Sequence, residues 1–429
     1  MADLVRALKH RNYRLFFSGQ TVSLIGTWIT RVATSWLVYR LTKSEWLLGL
    51  VAFAGQIPLL ILAPFGGVLG DRWDRRRILV VTQILSALQS LALALLAFSH
   101  RITVTQIIVL QVVQGIINAA DTPARQAFVV EMVEAPEDLP NAIALNSSMF
   151  NASRIIGPTI AGLLIALVGE AWCFMLDAIS YVAVIASLVA MRFTARERPR
   201  KETHLIDELH AGLRYVLGFP PVSALLTQVT LVSVMGMPYA VLMPVIAAQV
   251  LHGGPHTYGI LMTATGTGAL LGTVYLASRH TVLGLGKVIV AATIFLSAGL
   301  IAFSFSRTLI LSAIALPIVG AGMMLQSASA NTILQTVVDE KLRGRVMAFY
   351  TMAVLGTQPL GSLLAGAVAD RIGAPHTILI GAIFVLLGGL WFAVRRGKLA
   401  EHVRPIYIER GILTWDENTL EPVDAGQIR

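Results

Sequence analysis

Long apolar runs dominate the chain, and each is separated from the next by a short cluster of charged residues, proline or glycine. Breaking the chain at those clusters leaves twelve runs, near 14–39, 47–70, 78–99, 103–124, 142–168, 172–192, 221–250, 258–279, 286–305, 308–335, 345–369 and 376–395. Every run reaches the ~20 residues that an α-helix needs to cross a bilayer. Lipid offers no partner to a backbone N–H or C=O, so runs of this length predict helices that satisfy their own backbone. The pattern therefore predicts an all-α membrane protein with twelve transmembrane helices. An even number of crossings puts both termini on one side.

Composition narrows the picture. The chain is 55% hydrophobic and 13% charged over 429 residues, which excludes an ordinary soluble domain. A net charge of +9 would suit nucleic acid only if it lay on one solvated face, whereas here the basic residues sit between apolar runs. No nucleic-acid partner is expected; the bilayer is. Of the 33 Lys and Arg, 26 fall in the breaks that share a side with the N-terminus. Five (Arg40, Lys43, Arg101, Arg307, Arg371) fall in the opposite breaks, and Arg31 and Arg154 lie inside runs. Lys and Arg are retained on the cytoplasmic side during insertion, so both termini are predicted to be cytoplasmic. Residues 1–13 are basic and amphipathic and read as an interfacial lead-in rather than a cleaved signal. A single cysteine, Cys173, rules out an internal disulfide and any multi-cysteine metal site. No GxxxxGK[ST] stretch is present, and the histidines fall in breaks or at run ends. Neither an ATP-driven machine nor a membrane enzyme is expected, and no cofactor or metal.

The longest and most charged cytoplasmic connection, 193–220, divides the runs six and six. Within it, Ile206 to Leu217 has the spacing of a short amphipathic helix lying on the membrane surface. A shift of 204 residues lays Gly157, Ala161, Gly162 and Gly169 over Gly361, Ala365, Gly366 and Gly373, which indicates a duplication. The organisation expected is a lead-in (1–13), a first six-helix bundle (14–192), a linker (193–220), a pseudo-symmetric second bundle (221–395) and a cytoplasmic tail (396–429).

The most charged short break is Gly66-Gly-Val-Leu-Gly-Asp-Arg-Trp-Asp-Arg-Arg-Arg77. Its Gly67-x-Leu69-x-Asp71-Arg72-x-x-Arg75-Arg76 resembles the signature loop of the major facilitator superfamily, with Asp74 where that family usually has Gly. Gly157-Pro158-x-x-Ala161-Gly162 is similar to the superfamily's antiporter motif. Asp121-Thr-Pro-Ala-Arg125, Asn141-Ala-x-x-Leu-Asn146-Ser and Asp339-x-x-x-Arg343-Gly-Arg345 resemble the branch of enterobactin exporters and macrolide efflux proteins. The resemblance implies a bacterial-type plasma (inner) membrane, a monomer, and a conformational latch built from Gly67, Asp71, Arg72, Arg75 and Arg76. In that latch Asp71 meets the second bundle, while the arginines pair near the fourth helix, where Asp121 is the candidate and Arg125 its neighbour. The superfamily's helix-four arginine is replaced by Gln111, which departs from its usual proton-coupling site.

Charge at bilayer depth marks function, because an arginine there costs at least ~2.5–3.5 kcal/mol. Arg31 continues a polar stripe of Gln20, Ser23, Thr27 and Thr34, and either faces a wet cavity or snorkels to the outer interface. Arg154, near the middle of the fifth run, is expected in a cavity or an ion pair. Asp177 is the deepest acid, and is either a proton-coupling carboxylate or a static partner of one of these arginines. The first, fourth, seventh and tenth helices are expected to line the substrate path with Gln20, Thr27, Gln111, Gln114, Asn118, Gln228, Met235, Tyr239, Met324, Gln326 and Asn331. Amides and hydroxyls with thioethers suit a large, amphipathic, mostly neutral molecule. The expected function is export of such a molecule (a drug, macrolide or siderophore) in antiport with protons. The alternatives are a lysophospholipid flippase of the same fold and a non-transporting receptor.

Overall fold

A computed structural model describes the backbone of residues 2–133, 135–192, 205–279, 281–415 and 422–424. The side chains of 2–5, 63–72, 136, 205–209, 211, 341 and those after 413 lie outside that description. The linker segment 193–204 and the side chains of Gly67, Asp71 and Arg72 are therefore outside the described residues.

A short 3-10 turn, Ala2–Lys9, leads into α1 (Arg11–Thr42), α2 (Glu45–Arg72), α3 (Arg75–Phe98), α4 (Val104–Met132), α5 (Leu139–Val168) and α6 (Glu170–Ala190). After the linker come α7 (Leu205–Gly218), α8 (Pro220–Leu231), α9 (Tyr239–Val245), α10 (Pro255–Ala277), α11 (Leu285–Phe305), α12 (Leu309–Val337), α13 (Glu340–Thr351), α14 (Gln358–Ile372) and α15 (Ala374–Glu409). Pairs α8/α9 and α13/α14 are single crossings interrupted by π-turns at Val232–Gly236 and Met352–Gly356, each closed by an i→i+5 bond (Met237 N–H to Val232, 3.0 Å; Thr357 N–H to Met352, 3.1 Å). Pro238 and Pro359 follow these turns, and each lacks the N–H that would continue a regular ladder. Pro317 by contrast stays inside an unbroken α12. Among the described residues eleven crossings are apolar enough to span a membrane by length and composition; α1, diluted by its polar residues, is the twelfth long helix.

Two differences from the sequence reading concern the end of the chain. Helix α15 does not stop at 395 but runs to Glu409, because Val403, Ile406 and Tyr407 pack onto the apolar cluster around Val216, Val337 and Phe392. Beyond it, β1 (Leu413–Trp415) and β2 (Pro422–Asp424) form a small antiparallel ladder with Thr414 opposite Val423. Asp74, which departs from the family loop, has a local role: its carboxylate accepts the Arg77 N–H (3.1 Å) as the N-cap of α3.

Helices α1 to α6 pack mainly on one another, as do α8 to α15. The two sets meet at two main crossings, α2 on α14 and α5 on α10. Both crossings lie at the end of the bundle away from the chain termini, and both are made by glycines. A Cβ at Gly49 would stand 2.5 Å from the Ser362 carbonyl and 3.0 Å from Gly366 Cα; one at Gly259 would stand 2.7 Å from the Pro158 carbonyl and 3.0 Å from Gly162 Cα. Bare backbone on both sides allows this approach, as in small-residue packing of membrane helices generally. Thr159 and Thr263 hydroxyls meet at 2.7 Å beside the second crossing, and Ser44 donates to Asp370 (3.4 Å) beside the first. The described side-chain hydrogen bonds between the two sets lie beside these two crossings, Thr263 also reaching the Ile155 carbonyl at 3.5 Å.

Replacing Gly259 by Leu would force the α5–α10 crossing apart. In a Cys173→Ala background carrying Thr159→Cys, Gly259→Leu is expected to raise labelling by a membrane-impermeant maleimide several-fold. Equal labelling with and without the leucine would mean that this contact does not close the far end.

Candidate functional site

Helix α1 has two polar faces with different neighbours. On one, Gly19 and Gly26 let α6 approach so closely that a Cβ at Gly19 would meet Ser187 Oγ at 2.6 Å and one at Gly26 would meet Asp177 Oδ1 at 2.7 Å. Ser23 and Thr34 are buried, Thr27 lies against Tyr181, and Thr30 lies beside Asp177. Asp177 is almost fully buried, and its other oxygen accepts the Ser90 hydroxyl of α3 at 2.8 Å. Helix α1 thus separates Asp177 from the arginines. Of the two alternatives for Asp177, a static pairing with Arg31 or Arg154 is corrected: the hydrogen bond described for its carboxylate comes from the Ser90 hydroxyl.

The other face of α1 points to α5 and α10. Trp28 packs in the space left by Gly157, against Phe150 (centroids 5.9 Å apart). The Arg31 guanidinium lies 4.6 Å from the Trp28 ring centroid and that of Arg154 lies 6.0 Å from it, so both cations share one aromatic ring. They are close enough to repel each other. Tyr258 of α10 lies by Arg31 and Ser35 and stacks on Trp36 (6.4 Å, 22°), while Tyr239 of α9 lies by Arg154 and Thr265. Arg31 is solvent-accessible and Arg154 half-buried although protein surrounds both, so the accessible surface faces an interior space. Neither pairs with a carboxylate among the described residues. Trp28, Ser35 and Tyr258 escaped the sequence reading; the one available signal was Trp28 at i−3 from Arg31, on the same helix face.

The described charges at the terminal end knit the first six helices to each other. Arg75 reaches Glu131 (2.7 Å) and the Ala127 carbonyl (3.3 Å) on α4. Arg76 donates to the Leu188 and Val189 carbonyls (2.7 and 2.8 Å), the last turn of α6, where the helix dipole favours a cation. Asp121 accepts from Thr82 (2.9 Å), Gln83 (2.8 Å) and Arg125. The expected pairing of the loop arginines with Asp121 is thus corrected for Arg75 and Arg76: Asp121 stands ten residues, about 15 Å, deeper along α4 than Glu131. His10 and Arg6 meet Asp138 at 3.0 and 3.8 Å, and Tyr13, whose hydroxyl burial pushes up to about 12, donates to the Ala142 carbonyl.

Most of the amides expected in the substrate path face neighbours inside their own half. Gln114 donates to Ser86 (3.2 Å) and Asn118 (3.1 Å), Gln228 to Thr293 (3.3 Å), and Gln335 to Asn331. Gln111 lies against Gly55, Gln20 is buried in α1, and Gln326 is wholly buried, accepting from Ser327 (3.3 Å). Met324 is half-buried on α12, and Met235 borders a cavity of about 20 Å³ with Tyr239 inside the second half. Tyr239 stands beside Arg154, and Thr27 is one helical turn from Arg31.

Comparison with known proteins matches residues 5–405 to a family described as transmembrane secretion effector. The chain is 27% identical over 379 residues to the staphyloferrin A transporter of Staphylococcus aureus, covering 86% of this chain and 92% of that one. It is 29% identical to the multidrug efflux pump Tap of Mycolicibacterium fortuitum (85% and 91% covered), and 25% identical to macrolide efflux protein A of Streptococcus pyogenes (88% and 95%). Among solved structures, the fold is like that of a peptide transporter POT (TM-score 0.73, 12% identity, 91% and 95% covered). It is also like that of a bacterial homologue of the human lysosomal transporter Spinster in an inward-facing conformation (0.69, 14%, 92% and 98%).

Removing the Arg76 clamp leaves the α6 carbonyls unsatisfied, whereas Arg77 is exposed. Arg76→Gln is expected to lower the thermal midpoint of the detergent-purified protein by about 2–4 °C and Arg77→Gln by under about 1 °C, read by intrinsic fluorescence. Equal midpoints would show that the clamp adds nothing.

Proposed function

The chain belongs to the transmembrane secretion effector family of major facilitator transporters, is a transporter and not an enzyme, and from that premise we propose that it exports a small amphipathic molecule by alternating access. The observation that carries this reading is the asymmetry between the two ends. The two main crossings between the halves, with their glycine contacts and hydroxyl bonds, both lie at the end away from the chain termini. A cleft sealed at one mouth, with accessible arginines between its walls, is one of the two states that a rocking transporter needs.

In this proposal the termini are cytoplasmic, as the distribution of Lys and Arg supports, so the far end is the outer one. Gly67, Asp71 and Arg72 form the part of the latch that would reach the second half when the inner mouth closes. Arg75 and Arg76, already tied to α4 and α6, hold the loop in place. Gly157, Pro158 and Gly162 act as the outer seal. Asp177 is the proton site: a carboxyl set among Ser90, Thr30 and Ser180, with no cation beside it, can take up and release a proton as α1 and α6 shift. The residue that would ordinarily be the helix-four arginine is Gln111, so coupling runs through Asp177 in its place.

Proteoliposome transport of a macrolide, a catecholate siderophore and a lysophospholipid, each with and without a pH gradient, tests the reading. Export of one of the first two, driven by the gradient in the parent and indifferent to it in Asp177→Asn, is the expected result. Gradient-driven export that survives Asp177→Asn would remove Asp177 from coupling. Movement of the lysophospholipid alone would make the chain a lipid flippase.

A further inference from the structure

The central site holds two cations and, among the described residues, nothing to balance them. Of the described acids of the first half, Glu45, Asp74 and Glu137 stand at helix starts, and the other five are engaged elsewhere. Asp177 of α6 accepts from Ser90 of α3, Asp121 bonds Arg125, Glu131 bonds Arg75, Asp138 bonds His10, and Glu170 bonds Arg40 at 2.8 Å. In the second half Asp339, Glu340 and Asp370 all stand at helix ends. Two guanidiniums over one indole gain from the ring, but each still carries the penalty of a charge at bilayer depth and repels the other. An opposite charge placed between them would offset both costs.

The geometry points to an oxyanion, a carboxylate or phosphate carried on an amphipathic molecule, as the group that Arg31 and Arg154 receive from the cargo. This deepens the transport reading and rests on it. Guanidinium forks match the two oxygens of such a group and make charge-assisted hydrogen bonds. Trp28 offers an apolar plane to the rest of the molecule, and the Tyr239 and Tyr258 side chains stand beside the cations. The site also spans the moving parts. Arg31 and Arg154 belong to the first half, Tyr239 and Tyr258 to the second, and a Cβ at Gly266 of α10 would lie 3.2 Å from the Arg154 carbonyl oxygen. A bound anion would therefore relieve the repulsion inside one half while touching the other, which gives it different affinities in the two states. An exported anion also moves outward down an inside-negative potential, so its export draws on the potential even when no proton is exchanged.

Two xanthene dyes separate charge from shape: fluorescein, an anionic carboxylate, and rhodamine 6G, a cationic ester of the same skeleton. With the full chain in zwitterionic nanodiscs, fluorescence anisotropy is expected to show fluorescein bound at least about tenfold tighter than rhodamine 6G. Arg31→Gln and Arg154→Gln are each expected to weaken fluorescein by about tenfold and leave rhodamine 6G within about twofold. Arg154→Lys, which keeps the charge and loses the fork, should fall between. Displacement of fluorescein by dodecanoate or by dodecyl phosphate tells whether the carboxylate or the phosphate is preferred. Thermal midpoints within about 2 °C of the parent exclude misfolding of the variants. Absent fluorescein binding, equal binding of both dyes, or arginine variants that bind fluorescein as the parent does would each overturn the inference. Rhodamine 6G transported by proteoliposomes under any of those outcomes would leave the exporter reading standing, so the two failures are distinguishable.

Discussion

At the two main crossings between the halves, backbone meets backbone, Gly49 against Gly366 and Gly162 against Gly259, and the rest of the arrangement follows from how near those contacts bring the two halves. Lipid gives no hydrophobic drive for helices to associate, so close van der Waals approach has to supply it, and only residues without side chains permit approach at these distances. Gly162 and Gly366 are also the positions that a 204-residue shift superposes. The second helix of each half meets the fifth helix of the other, as a pseudo-two-fold axis between the halves requires. The seal is consequently made twice by one device.

Charge is sorted around that seal with little mixing. Acids and bases at the terminal end pair within the first half, an ion pair at the far end joins Arg40 to Glu170, and Asp177 is walled off behind α1. What remains in the middle is a cationic site under an aromatic ring. Segregation of this kind keeps the interior carboxyl and the interior arginines from neutralising one another.

The architecture was legible in the sequence because length and apolarity alone decide whether a segment crosses lipid. That Arg31 and Arg154 lie inside long helices was legible for the same reason. What the arginines face was not, because a polar stripe on a membrane helix has two origins that look alike in one dimension. Gln20, Ser23, Thr27 and Thr34 read as a cavity wall, yet the hydroxyls among them largely serve α1–α6 packing, as Gln114, Asn118 and Gln228 serve contacts inside their own halves. Tertiary partners decide that question, and sequence spacing carries no record of them. The extension of α15 to Glu409 was missed because residues after 395 are too polar to register as a span although their spaced Val403, Ile406 and Tyr407 suffice to pack. Asp74 looked like a departure from a loop motif until its N-cap bond to Arg77 appeared.

If the glycine crossings are the closed mouth of a rocking cleft, they must separate when the other mouth closes. Electron–electron double resonance on a Cys173→Ala chain reads this directly, with one spin-label pair at the far end (Leu167 and Ile260) and one at the terminal end (Ser148 and Val274), all exposed positions on α5 and α10. The account predicts opposite changes when the protein in liposomes is energised or given its cargo: the far-end distance lengthens as the terminal-end distance shortens. Two distances that stay fixed under every condition, or that grow and shrink together, would contradict it.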